Sequence, residues 1–347
     1  MTAAAPSPFD PVLHSLQLAW DATSLTAFME CPRKYQYSIL EGWRSSAGSA
    51  ALDFGGLYHS ALESIDRGLA RGEDLDALLV TAIRETLLAS GHYEAQAADG
   101  TWSPCELELL GEAQHAGASI RWVPWSSLDS RRTPQTLIRS IIWYYESYPA
   151  DQLKTAMLAA PSGERPAIEL SFTFALPFQT PAGRTLLWCG HMDKVAKSES
   201  IQDNIVVERK TTTSTIGETY FSQFHMSQQI TGYILAGQVV FGLPVRGAVV
   251  DAVQVAVGFS RFHRSLELRT EEQVAEWLEN LRYWTALAEH YATINYWPMN
   301  LASCNNYGGC RYRSVCQLPA SLRAQALETH FRVRKWNPLE VREEPTS

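Results

Sequence analysis

Asp193, Glu208 and Lys210 are residues of the types that handle a hard cation and a water, and they stand on neighbouring strand-like runs. Leu186–Ala196 is apolar with β-branched and aromatic members, Lys197–Asn204 is a polar turn, and Ile205–Thr213 resumes the strand pattern. Side chains alternate along a strand, so Glu208 and Lys210 point to one face and Val207 and Arg209 to the other. If the two runs pair as a hairpin, Asp193 sits beside them. Two carboxylates and an amine on one sheet face suit a divalent cation and an activated water. The same residues would also serve as cross-strand ion pairs on a solvated sheet face. The triad alone leaves both readings open.

Other residues add chemistry at fixed spacings. His59 and Glu63 are four apart in a helical run and share a face, as do Gln229 and Tyr233 further on. Each pair alone reads equally as ordinary helix surface. Of six cysteines, Cys304, Cys310 and Cys316 crowd together near the C-terminus. With the isolated Cys31 they make four thiolates, enough for a [4Fe–4S] cluster or a tetrahedral zinc. Cys105 and Cys189 read as ordinary thiols.

These pieces, in this order, resemble the PD-(D/E)XK nuclease superfamily and its RecB-like branch. The motifs are S-L-T-A-F-M-E-C-P-R-K-Y (Ser24–Tyr35), G-x-x-H-x-x-x-E (Gly56–Glu63), G-x-x-D (Gly190–Asp193), E-x-K (Glu208–Lys210) and Q-x-x-x-Y (Gln229–Tyr233). The resemblance implies that Asp193, Glu208 and His59 bind Mg²⁺ or Mn²⁺ and that Lys210 helps to activate water. It implies that Gln229 and Tyr233 border the site and contact DNA, with Glu63 in support and Glu169 as an acid in the preceding strand. Cys31 would be the first iron–sulfur ligand, joined by Cys304, Cys310 and Cys316, although the first C-terminal gap is longer than the family's usual C-x-x-C. The implied activity is metal-dependent DNA cleavage leaving 5′-phosphate and 3′-hydroxyl ends, often by an exonuclease on single-stranded or frayed DNA. The implied settings are DNA repair, recombination, and phage or CRISPR-related processing. No G-x-x-x-x-G-K-[ST] motor motif occurs, so a helicase or recombination partner would be a separate chain. The rival readings are a non-catalytic DNA-binding protein and a zinc-stabilised structural protein.

The elements that must position these residues follow from pattern. The chain has 347 residues, 46% hydrophobic and 19% charged, as in an ordinary globular protein. No apolar run is long enough to span a bilayer, and the N-terminus lacks a signal pattern, so a cytoplasmic protein is expected. A net charge of −8 confines phosphate binding to local patches such as Arg33-Lys34, Arg131-Arg132 and Arg332–Lys335. The expected fold is α/β, a mixed central sheet flanked by helices. The expected divisions are a lead-in over 1–23, ligand-bearing helices over 24–68, a helical insertion over 69–160, a nuclease-like core over 161–300 and a cysteine clasp and tail over 301–347. Thr23 or Ser24 is expected to cap the first helix, Leu75–Pro149 to be helical throughout, and Phe221–Phe241 to be one helix.

Overall fold

The computed structural model describes residues 7–45, 49–90, 93–97, 99–104, 119–122, 129–160, 163–306 and 309–341. The chain opens with β1 (Ala19–Trp20) and α1 (Ala22–Glu30). The cap of α1 is Asp21, upstream of the residues expected: its carboxylate accepts from Ser24 N–H, and the Ser24 hydroxyl oxygen accepts from Asp21 N–H. Pro32 begins a separate helix, α2 (Pro32–Tyr35), because proline suits a first turn and not an interior. A π-helical turn over Gln36–Leu40 leads to β2 (Trp43–Ser45), followed by α3 (Ala50–Ala70) and α4 (Leu75–Ser90). At Gly68 a Cβ would lie 2.2 Å from the Leu78 side chain, so glycine lets α4 close on α3.

The region expected to be wholly helical is not. After α4 come β3 (Tyr93–Gln96), β4 (Trp102–Pro104) and β5 (Ile120–Trp122), a sheet in the order β4-β3-β5. Short apolar runs fit both periods, and here pairing decides. The rest of the helix expected around Cys105 lies, with Cys105 itself, outside the described residues. α5 (Pro134–Ser147) does form, capped by a Thr133–Thr136 box. β6 (Leu153–Thr155), β7 (Met157–Ala160) and β8 (Gly163–Pro166) lead to β9 (Ile168–Gln179), β10 (Thr185–Ser198) and β11 (Asp203–Thr212). The helix after β11 begins only at Ser227, whose hydroxyl caps α6 (Gln228–Phe241); Glu218–Phe224 forms separate short turns. β12 (Val245–Val255), β13 (Ser260–Leu268), α7 (Glu271–Thr293), α8 (Ala320–His330) and β14 (Phe331–Val333) complete the chain.

The central sheet is mixed and seven-stranded, as expected, and β10 is its hub. One edge of β10 pairs with β9 and then β6; the other pairs with β1 at Leu187–Trp188 and with β11 from Lys194 to Ser198. β11 runs parallel to β12, which pairs antiparallel with β13. β12 is buried along nearly its whole length, which explains its valine run. The larger core lies between the sheet and α1, α6 and α7, around Trp20, Phe28, Tyr35, Trp188, Trp277 and Trp297. A second core on the opposite face joins α3, α4 and α5 to β12 through Phe54, Tyr58, Leu62, Leu137 and Val253. No helix among the described residues is long and apolar enough to cross a membrane.

Candidate active site

The site lies where β10 and β11 part. Their ladder ends at Lys194↔Val207, and β1 takes up the same edge of β10 only at Trp188. Over the intervening residues no strand among the described residues lies beside this edge. Asp193 fills the opening with its side chain: Oδ2 accepts the Arg209 N–H at 2.9 Å, and Oδ1 lies 3.3 Å from His59 Nδ1 on α3. Across the sheet, the Glu169 backbone is left-handed, φ +50°, between the Leu170↔Met192 pair and the bond from Val195 N–H to Ala167 O. A non-glycine residue held there stores strain of about 1–2 kcal/mol, a feature that clusters at functional sites.

Glu208 and Lys210 share a face of β11, as alternation predicts, and Lys210 Nζ donates to Glu208 Oε1 at 2.5 Å. The same ammonium donates to Gln229 Oε1 at 3.1 Å, and Gln229 Nε2 donates to the Tyr233 hydroxyl at 2.7 Å. Gln229 and Tyr233, expected to touch substrate, thus form a brace behind Lys210. Tyr233 is only 6% exposed. Glycine at 190 leaves room for the Phe172 ring, from which a Cβ there would lie 2.9 Å, and Phe172 packs edge-on against Tyr233 at 5.8 Å. The Gly of G-x-x-D and the Tyr of Q-x-x-x-Y are one packing arrangement.

Burial pushes the Glu208 carboxyl up to about 7, with the Asp193 charge adding and Lys210 opposing. Burial also acts on Asp193, but the charge and hydrogen bond of His59 and the Arg209 N–H outweigh it and hold the group at about 2. Partial burial of Lys210 would lower its pKa, yet the charge and hydrogen bond of Glu208 outweigh this and raise it. It is an ammonium at neutral pH, a donor and not a base. Among the described residues Glu208 Oε2 is buried without a hydrogen-bond partner. A buried carboxylate oxygen left unpaired costs about 1–3 kcal/mol or more, and a cation would satisfy it.

The opening gives onto a groove of ≈ 1610 Å³ lined by His59, Glu63, Arg67, Arg165, Glu169 and Lys210 among others. Glu63 lines the same groove as His59 and pairs with Arg67 at 2.9 Å. Behind the site is a network that sequence reading missed. Lys194 and Arg209, the neighbours in sequence of Asp193 and Glu208, point to the other face and both reach Asp66 of α3, Lys194 at 3.2 Å and Arg209 through a short bond. Asp66 is seven residues after His59, so one side of α3 reaches both β10 and β11. A hidden acid in an amphipathic helix gives no signal in sequence except that Asp66 falls on its apolar stripe with Leu62.

The cysteines are partly brought together. Cys31 is buried and accepts from Asn300 N–H at 3.3 Å, while Asn300 Nδ2 and Ser303 Oγ both donate to Glu30 O. Cys310 N–H donates to Cys304 O at 2.9 Å. The thiols of Cys31, Cys304, Cys310 and Cys316 are free, as is that of Cys189, which donates to Trp20 O. Yet among the described residues no three Cys, His, Asp or Glu side chains gather closely enough to hold a metal ion as they stand. As they stand, the described thiols do not form a closed metal site. For Asp193 and Glu208, the orphaned Oε2 and the hard donor set do fit a cation, with His59 adjacent.

No curated protein matches the chain. Among solved structures it is similar to a "Putative exonuclease" from Eubacterium rectale, at 12% identity and a TM-score of 0.40 over 94% of this chain and 98% of that one. It is also similar to SSO0001, at 11% identity and a TM-score of 0.28 over 76% of this chain and 74% of that one. Residues 19–317, which hold the central sheet and every motif above, match the family model of the PD-(D/E)XK nuclease superfamily, and the chain belongs to that family.

Proposed function

We propose that this nuclease hydrolyses DNA phosphodiesters with Mg²⁺ or Mn²⁺ held by Asp193 and Glu208, as an exonuclease on single-stranded or frayed DNA. The settings proposed are DNA repair, recombination, or phage or CRISPR-related processing. The observation that carries the reading is the unpartnered Glu208 Oε2 beside Asp193 at the open edge of β10. A cation there supplies Lewis acidity to the phosphate and lowers the pKa of a bound water. Asp193 and Glu208 are its carboxylate ligands, and His59 adds a nitrogen donor while orienting Asp193. Lys210, charged and braced by Gln229, donates a hydrogen bond to the attacking water or to a phosphoryl oxygen as negative charge builds there. Water adds to phosphorus, the bond to the 3′ oxygen breaks, and 5′-phosphate and 3′-hydroxyl ends result. Because the chain has no nucleotide-motor motif, a single strand would come from fraying or from a separate helicase.

The four thiols Cys31, Cys304, Cys310 and Cys316 are proposed separately as ligands of a [4Fe–4S] cluster or a structural zinc. Their donor chemistry and the Cys31–Asn300 contact support this, and no step of hydrolysis depends on it.

The test is incubation of the protein with end-labelled single- and double-stranded DNA, and with RNA, in Mg²⁺, Mn²⁺ or EDTA. Shortening of DNA that EDTA and Asp193→Ala both abolish is the expected result. Undiminished cleavage by Asp193→Ala, or binding without cleavage in either metal, would overturn it, the latter in favour of a non-catalytic DNA-binding protein.

A further inference from the structure

At the far end of the chain, β14 pairs antiparallel with β2, setting Phe331 opposite Ser45, Arg332 opposite Arg44 and Val333 opposite Trp43. Arg334 N–H donates to Gly42 O at 2.8 Å and extends the ladder. Gly42 has φ +81°, and a Cβ there would lie 2.8 Å from Arg334 O, so the ribbon closes this tightly only over glycine. Alternation turns Phe331 inward, where it stacks on Tyr312 at 5.1 Å within a small separate core of Tyr37, Tyr312, Val315 and Leu327. It turns Arg44, Arg332 and Arg334 to the opposite, outer face.

Arginine directly across from arginine is an unfavourable pairing in a two-stranded ladder. The repulsion is not relieved locally. Among the described residues no acidic side chain forms an ion pair with Arg44, Arg311, Arg332 or Arg334. The Arg44 guanidinium lies instead over the Trp336 ring, 5.6 Å from its centroid. Burial lowers the pKa of Arg44, and the like charges of Arg311 and Arg334 lower it further. Composition shows the same asymmetry: Arg311, Arg313, Arg323, Arg332, Arg334 and Lys335 face a single acid, Glu328, within 311–335 of a chain whose net charge is −8.

We infer that the outer face of this ribbon, Arg44, Arg332 and Arg334 with Trp336 beside them, is a docking surface for the phosphate backbone of a nucleic-acid strand. Arginine forks match phosphate oxygens, and Trp336, packed against the main core, supports the Arg44 guanidinium over its ring. None of these residues lines the groove at the active site, so the surface is a second one, apart from it. The choice of nucleic acid as the polyanion rests on the nuclease reading.

The test is anisotropy of a fluorescent single-stranded oligonucleotide, longer than the groove, titrated in EDTA over a salt series. Arg332→Gln/Arg334→Gln should weaken binding several-fold at low salt. It should also reduce the slope of log K against log salt by about 0.7 for each phosphate that is no longer neutralised. Its Tm should hold or rise, since removing like charges relieves the ladder, and Arg332→Lys/Arg334→Lys should restore the slope. A wild-type slope and affinity in the double Gln variant would overturn the surface. So would a lowered Tm with no rescue by lysine, which would make the arginines structural. Binding in EDTA needs no hydrolysis, so cleavage of the same oligonucleotide in Mg²⁺ judges the nuclease reading independently.

Discussion

A lysine between a carboxylate and an amide is placed to give a hydrogen bond, not to take a proton. Lys210 donates to both Glu208 and Gln229, and Glu208 keeps it charged. Lys210→Ala should therefore lower kcat by about 10²–10³-fold, the cost of losing one preorganised donor, with the fold intact and the metal requirement little changed. Single-turnover cleavage across a metal titration checks this, and full activity in a folded variant would refute the role. His59 differs because it touches Asp193. His59→Ala should raise the Mg²⁺ or Mn²⁺ needed for half-maximal rate by about 10–100-fold. An unchanged titration would reduce it to a bystander. At this scale the sequence was informative wherever strand alternation applied: Glu208 and Lys210 on one face, Arg209 on the other. It was silent on Gln229 and Tyr233 as a brace for Lys210, because that arrangement depends on how closely α6 lies on β10. At Gly232 a Cβ would stand 2.3 Å from Trp188 Nε1, and no local pattern announces such an approach.

Elements explain why β10 and β11 stay in register where they separate. α3 holds Asp193 through His59 and holds Lys194 and Arg209 through Asp66, so one rigid helix fixes both strands. Asp66→Asn would leave two buried cations without their anion, at a cost of about 3–5 kcal/mol in unfolding free energy near neutral pH. The sign of its pH dependence follows. Burial alone would raise the Asp66 carboxyl, but the charges of Arg209 and Lys194 prevail and hold it below the ordinary 3.8. A carboxyl lower in the folded state contributes its full stability above the unfolded value and loses it as pH falls through 3.8 towards the folded value. Denaturant titrations of wild type and Asp66→Asn should thus differ by a constant amount above about pH 5 and converge in stronger acid. A difference that persists or widens there would show that Asp66 is not the paired anion. Helices with clear caps and strands with clear alternation were legible in sequence. The sheet β3–β5 was not, because its strands are three or four residues long, and neither was the break at Ser227, whose extended backbone and capping hydroxyl start a new helix.

The whole molecule is closed by contacts between its two ends. Arg33 N–H donates to Pro298 O at 3.0 Å, its side chain to Trp297 O at 2.7 Å, and Asn300 bridges Glu30 and Cys31. The mixed sheet between helices could be read from the order of periodic runs. Only the resemblance, which sets Cys31 beside the C-terminal cysteines, implied that these segments meet, since no periodicity links residue 31 to residue 300. If the four thiols do take a metal, it acts as a covalent tie across almost the whole chain. One link between residues 31 and 304 is worth roughly 5 kcal/mol in the chain-entropy model. Hydrolysis needs no electron transfer, so the tie should affect stability first and cleavage only through the folded fraction. Anaerobically purified protein should carry iron with a brown chromophore, or else stoichiometric zinc. Cys31→Ala should lose metal and Tm together, while the rate per folded molecule stays the same. Metal-free wild-type protein with an unchanged Tm in Cys31→Ala would leave the Arg33 and Asn300 hydrogen bonds and the Trp297 packing to close the chain without a metal.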